Sequence, residues 1–152
     1  MDIISFKFVC ADLNDDEKKA LAPVRHSSFA SGFDLASANR EEVVLSAKSR
    51  ILISTGIAIA LEPGYEGQVR SRSGLALKSG IIVLNSPGTI DADYRGEIKV
   101  LLANLSDEPF RITFGMRIAQ LVIQRVWMPA MMEVLELDHS SRGEGGFGST
   151  GT

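Results

Sequence analysis

Residues 110–124 read FRITFGMRIAQLVIQ, and the period of this stretch decides the fold class. Phe110, Ile112 and Phe114 alternate with Arg111 and Thr113. Beyond Gly115, Ala119, Leu121 and Ile123 share one face, with Gln120 and Gln124 on the other. Alternation of period two is the pattern of a strand with one face turned to a core. Working outward, the same period recurs where Ile4, Phe6 and Phe8 alternate with Ser5 and Lys7, and where Ile57, Ile59 and Leu61 alternate with Ala58 and Ala60. Turn signals separate such runs: Pro63-Gly64, Ser86-Pro87-Gly88, Asp107-Glu108-Pro109 and Gly115. Short strands punctuated in this way predict an all-β sandwich or barrel. No internal repeat or linker divides the chain.

Two segments depart from that period. Asn14 to Ala20 suits a short polar helical turn, ended by Pro23. Ser73 to Ser79, SGLALKS, predicts the one short helix, with Ser73 as N-cap and Gly80 as the C′ residue. Arg72 precedes it, and a guanidinium beside the free N–H groups of a helix start suits a phosphate.

Composition bounds the function. The chain has 152 residues, 45% hydrophobic and 23% charged, with a net charge of −3. That is an ordinary globular domain, and it lacks the basic excess of a nucleic-acid binder. No apolar run has the length of a membrane span. Residues 1–11 have neither a basic start nor a small-residue cleavage site, so a cytoplasmic protein is expected. The one cysteine, Cys10, reads as a small buried hydrophobe in a strand. The two histidines, His26 and His139, lie in polar segments and read as surface residues, which leaves no thiolate or imidazole metal site. HExxH, CxxC, Walker A, GxGxxG and GxSxG patterns are all absent. Acid–base chemistry then falls to carboxylates, and any hard metal to oxygen ligands.

Residues 142–152, RGEGGFGSTGT, cannot build a core: they hold five glycines, three hydroxyl residues, one arginine and one phenylalanine. Such a segment reads as a flexible tail, or as one that orders on a ligand. Residues 85–104, NSPGTIDADYRGEIKVLLAN, read as a β-hairpin with Asp91, Asp93 and Tyr94 at its tip. Acidic residues serve turns routinely, and a tyrosine there also suits a half-buried strand.

In order along the chain stand Ser31-Gly32-Phe33-Asp34-Leu35, Arg72-Ser73-Gly74-Leu75-Ala76, the 85–104 segment, Gly115-Met116-Arg117-Ile118-Ala119-Gln120-Leu121, and the tail from Arg142 to Gly151. Taken together these five segments closely resemble the trimeric dUTPase family. Ser71 is a small departure, since the family often has proline or glycine before the arginine of the second motif. The resemblance implies a distorted jelly-roll-like β-barrel or sandwich, a homotrimer with shared active sites, and Mg²⁺ on the substrate triphosphate. It implies a body over 1–141 and a glycine-rich lid over 142–152. It also implies hydrolysis of dUTP to dUMP and diphosphate by water attack on the α-phosphorus, which lowers dUTP and supplies dUMP for thymidylate synthesis.

By the same resemblance Asp91 is the general base. Asn85 and the backbone around it read uracil, Thr89 and Ile90 shape the pocket, and the Lys99 main chain touches the base. Tyr94 stacks under deoxyribose and excludes a 2′-hydroxyl. Arg72, Ser73, Gly74 and Gln120 meet the phosphates, and Asp34 supports the water shell of the metal. In the tail, Arg142, Ser149 and Thr150 hold the terminal phosphate, Phe147 covers the base, and Gly148 also touches the substrate. Two other readings are weighed against this one. A dCTP deaminase-like enzyme carries a glutamate ten positions after the aspartate of the third motif, where this chain has Leu101. An inactive, dUTPase-like regulatory protein is at odds with the presence of Asp91, Tyr94 and Phe147.

Overall fold

The computed structural model describes residues 3–145. Eleven strands and two helices make up this part of the chain: β1 (Ser5–Phe8), α1 (Asp15–Leu21), β2 (Gly32–Ala36), β3 (Val43–Leu45), β4 (Arg50–Ser54), β5 (Ile57–Ala60), β6 (Tyr65–Arg70), α2 (Ser73–Ser79), β7 (Ile81–Val83), β8 (Gly88–Ile90), β9 (Lys99–Asn104), β10 (Phe110–Ile112) and β11 (Arg117–Arg125). All strand pairs are antiparallel. A four-stranded sheet runs β2-β11-β6-β8 and a three-stranded sheet runs β4-β9-β7, with the pairs β1-β5 and β3-β10 beside them. The all-β jelly-roll-like class holds, but among the described residues these sheets do not close into a barrel.

One core joins the sheets. Leu35, Val69, Ile118, Ala119 and Leu121 from the larger sheet meet Ile53, Val83, Val100 and Leu102 from the smaller. Burial of this apolar surface is the main favourable term in folding. The period read from residues 110–124 is kept where it matters most. Ala119 and Leu121 are buried, whereas Gln124 is exposed and Gln120 partly so. Val122 is buried as well, because β11 is an inner strand covered on both faces near its middle. β5 behaves similarly, with Ala58 as buried as Ile57 and Ile59. At the edge, Phe6 remains 45% exposed, since β1 pairs only with β5.

Four expectations need correction. There are two helices, not one: the 14–20 segment forms α1, seven residues long. Its stability is local, from a capping box in which Asn14 Oδ1 accepts from Glu17 N and Glu17 Oε2 accepts from Asn14 N, both at 2.9 Å. Second, α2 begins at Ser73 with Arg72 in the N-cap position and no side-chain cap bond; Gly80 does end it, in the left-handed conformation at φ 66°. Third, residues 85–104 are not a hydrogen-bonded hairpin. β8 pairs with β6, and β9 pairs with β4 and β7, so residues 91–98 bridge two sheets. Fourth, Cys10 lies in a bend after β1 and is half-buried, packed with a small cluster of Leu13, Leu21 and Ala36. Burial, and then the nearby Glu97 carboxylate, push its thiol pKa up, which disfavours the reactive thiolate.

Candidate active site

The pairing of β2 with β11, and of β11 with β6, brings three of the sequence segments to one place. Asp34 on β2 and Arg70 on β6 both lie opposite Gln120 of β11. Two residues past the end of β6, Arg72 turns back across the sheet. Its Nη1 donates to the Arg117 carbonyl at 2.9 Å, and its Nη2 lies 3.2 Å from Asp34 Oδ2. Arg117 approaches the same carboxylate oxygen at 3.6 Å. Asp34 is only 13% exposed, so two guanidiniums share one largely buried carboxylate. The pair carries more positive charge than Asp34 neutralises, and planar guanidinium forks are suited to phosphate oxygens.

Two further groups complete this end. His26 places Nε2 2.8 Å from Asp34 Oδ2 and 2.6 Å from Arg117 Nη1. The ring is half exposed, as a surface residue should be, but it is tied into the cluster. Gln120 donates from Nε2 to the Ser71 carbonyl at 3.0 Å, fixing the turn that delivers Arg72. Ser71 suits its place, because its hydroxyl accepts from Val83 N at 2.9 Å. Ser73 and Gly74 open α2 alongside, and the space above Gly74 is empty to 4 Å. Arg117 and His26 join the site residues expected from sequence. Arg117 lies within the fourth motif, but nothing local marks His26, whose partners are 8 and 91 positions away.

The second group gathers around residues 84–98. Thr89 and Ile90 stand on β8 opposite Gln68 and Gly67 of β6. Asn85 folds back toward Gly88, its Nδ2 lying 3.1 Å from where a Cβ on that glycine would be. Asp91 follows β8 directly and is exposed. It borders a cleft of about 690 Å³ with Tyr65, Glu66, Asp93, Arg95 and Trp127. The Asp91 carbonyl accepts from Tyr94 N at 3.1 Å, and the Tyr94 hydroxyl donates to the Glu97 carbonyl at 2.9 Å. Arg95 secures the same loop by donating to the Ala92 and Tyr94 carbonyls. Lys99, first in β9, is exposed and holds its Nζ 3.8 Å from Glu97. The asparagine-to-tyrosine segment thus runs from a turn through β8 into a loop, with Lys99 at its far end.

The two groups do not meet within one chain. Asp91 follows Ile90, which is opposite Gly67, so it comes level with Glu66, six residues from Arg72. At the usual rise this is about 20 Å along the strand. Asp34, on which the guanidiniums converge, is three strands from β8 in the sheet order, a further spread of about 14 Å. A base must stand within hydrogen-bond reach of the water it activates. The cations and the carboxylate are therefore presented at opposite ends of β6.

Among the described residues, the stretch from 126 to 145 has no helix or strand. Trp127, Met128, Met131, Met132, Leu135 and Leu137 are all exposed, Trp127 at 88%. Arg142 bends back to donate from Nε to the Gly145 carbonyl at 2.7 Å. Phe147, Gly148, Ser149 and Thr150 lie outside the described residues. No helix among the described residues is long and apolar enough to cross a membrane.

Comparison with known proteins agrees with this arrangement. A family model described as dUTPase matches residues 18–151. A deoxyuridine 5′-triphosphate nucleotidohydrolase of Helicobacter pylori strain J99 is 55% identical over 132 residues, covering 87% of this chain and 90% of that one. The enzyme of the same name from Clostridium kluyveri is 56% identical over 135 residues, covering 89% and 93%. Among solved structures, a Staphylococcus bacteriophage 80alpha dUTPase mutant with dUpNHpp superimposes with a TM-score of 0.85 at 29% identity over the whole of both chains. A phage phi11 dUTPase mutant, whose structure describes coordination of a structural Mg(II) ion, gives 0.75 at 25% identity, covering 89% of this chain and 98% of that one.

Proposed function

This chain belongs to the dUTPase family and hydrolyses dUTP to dUMP and diphosphate, and we propose that it does so with Asp91 as base and a cation cluster from another copy of the chain. The observation that supports the reading is the convergence of Arg72 and Arg117 on one carboxylate at the opposite end of β6 from Asp91. Asp91 takes a proton from water as the water attacks the α-phosphorus, and the bond to the bridging oxygen breaks to release diphosphate. Arg72 and Arg117 stabilise the charge that gathers on that leaving group, an effect that needs no reorganisation during the step. Lowering dUTP in this way also supplies dUMP for thymidylate synthesis.

The nucleoside is read at the other end. Asn85 offers both a donor and an acceptor to a uracil edge, with Thr89, Ile90 and the Lys99 main chain around the base. Tyr94 stands under the deoxyribose where a 2′-hydroxyl would otherwise go. Ser73, Gly74 and Gln120 support the phosphate end. Residues 142–152 act as a lid over a body of 1–141, with Arg142, Ser149 and Thr150 on the terminal phosphate, Phe147 over the base and Gly148 also touching the substrate.

Magnesium fits this donor set as an ion carried in on the triphosphate. The described residues offer no group of three or more ligating side chains, and Asp34 is the carboxylate nearest the phosphate cations. A hard cation prefers such oxygen surroundings, and when bound it neutralises phosphate charge. Asp34 would then hold the water shell of the ion.

The same reading takes the assembly to be a homotrimer, and exposed apolar surface supports self-association. Apolar side chains of residues 127–137 are exposed, and Ile3, Ile4, Phe6, Pro23, Phe33 and Ile123 line an apolar groove. Exposed apolar surface of this extent marks an interaction site. We assign the protein to the cytoplasm, as a nucleotide-pool enzyme with one cysteine. The deaminase reading gains nothing from the structure: Leu101 sits in β9, where its carbonyl accepts from Leu84 N, and its side chain cannot move protons.

Diphosphate release measured with dUTP, dCTP, dTTP and UTP tests the substrate assignment, and dUTP should exceed the others clearly. Asp91→Asn should keep nucleotide binding while turnover falls by roughly 10²–10⁴, the scale of a lost general base. Near-normal turnover in that variant would remove Asp91 from the mechanism.

A further inference from the structure

Gly96 has no backbone reason to be glycine. Its φ lies outside the left-handed region, unlike those of Gly56, Gly80 and Gly115, so an L-residue could adopt its conformation. What forbids a side chain is the neighbouring ring. A Cβ on Gly96 would lie 2.6 Å from Tyr94 Cζ and 3.0 Å from Cε2, and would run into the hydroxyl oxygen. Carbon atoms pack favourably at about 3.5–4.0 Å, so the ring and a Cβ cannot share this space.

The ring is held down on that bare Cα. Its hydroxyl donates to the Glu97 carbonyl at 2.9 Å, and its own backbone N–H donates to the Asp91 carbonyl at 3.1 Å. Glu97 is fixed in turn, because its Oε1 accepts from Gly56 N at 2.9 Å and its Oε2 accepts from the Ser54 hydroxyl at 3.5 Å. The seat therefore connects through Glu97 to the turn between β4 and β5, while Tyr94 stays 44% exposed.

We propose that Gly96 is a positioning residue for sugar selection: its missing side chain sets the position of the Tyr94 ring, and with it the room left for a 2′ substituent. The proposal rests on the reading of Tyr94 as the group that excludes a 2′-hydroxyl. A methyl group at position 96 pushes the ring sideways off its seat, breaks the bond to Glu97 and opens room for a 2′ substituent. Because the ring is partly exposed, it can swing aside without unfolding the chain. The consequence is then local to the sugar, not general.

The test is a double-mutant cycle read as the ratio of kcat/KM for dUTP over UTP, with thermal melting of each variant. The wild type, Tyr94→Ala, Gly96→Ala and the double variant are compared. Gly96→Ala should lower the ratio by roughly 10- to 100-fold, the range set by small steric differences in a pocket, with melting close to wild type. In the Tyr94→Ala background the same change should do nothing further, because the colliding ring is gone. If Tyr94→Ala lowers the ratio and Gly96→Ala does not, the seat has no role and the proposal is wrong. If Tyr94→Ala leaves the ratio unchanged, the reading of Tyr94 is wrong and the proposal falls with it. Should Gly96→Ala fail to fold, the double variant decides. A folded double variant with the Tyr94→Ala ratio supports the collision, and an unfolded one overturns it.

Discussion

The two ends of β6 carry sites of opposite character. At one end Arg72, Arg117, His26 and Asp34 form a charged network whose members already satisfy one another. At the other, Asp91 stands exposed beside a cleft, and the side chains of Tyr94 and Arg95 around it bond to backbone carbonyls. The first is a set of long side chains held by pairing of β2, β11 and β6. The second is a loop between two sheets. The difference teaches which part of the reaction each can serve. A network of guanidiniums can be presented ready-made to a charged ligand, whereas a base must keep its carboxylate free for water.

Separation of the two ends makes the most severe test. Asp91→Asn and Arg72→Ala chains, each alone, should be nearly inactive, by roughly 10²–10⁴ and 10²–10³ respectively. Co-assembled from a mixed preparation, they should regain activity well above either parent, since some sites then receive an intact Asp91 from one copy and an intact Arg72 from another. A mixture no better than its parents would mean that both ends serve one chain's own site, and the comparison drawn above would collapse.

A smaller effect is expected at the third contributor, the tail. Ending the chain before Arg142 should lower kcat by about 10² or more, the scale of removing a preorganised phosphate donor. Melting should barely change, because residues 140–144 are exposed and the turn from Ser140 to Gly145 bonds mainly to itself. Activity and melting falling together would make the tail structural. If neither falls, the segment is inert and the two ends of β6 suffice.

The mildest change sharpens the charged end alone. A Cβ at Gly32 would come 2.5 Å from Gln120 Oε1 and displace the amide that holds Ser71. Gly32→Ala should cost about one hydrogen bond, 0.5–1.5 kcal/mol, seen as a KM for dUTP raised by up to about tenfold with kcat nearly kept. An equal fall in kcat would show that Gln120 also governs the chemical step.

Much of this was legible in the sequence, and the gaps have a common cause. The alternation in residues 110–124 sets the inward face of β11 correctly at Ala119 and Leu121, because side-chain direction along a strand is a local property. Gly80 was readable as a helix stop for the same reason: only the local backbone decides it. The order of the five motifs carried the family, and it is what proposes Asp34, Arg72, Asp91 and Tyr94 for the site. Period and motif could not say which strands become neighbours. Pairing of β8 with β6 and of β9 with β4 and β7 turned an expected hairpin into a bridge between sheets. Long-range pairing also delivered Arg117 and His26 to Asp34, residues 83 and 8 positions away, by the arithmetic 117 − 34 and 34 − 26. Sequence determined the chemistry that each segment offers. Tertiary structure alone decided which of these chemistries share a site, because the contacts that settle it join residues far apart along the chain.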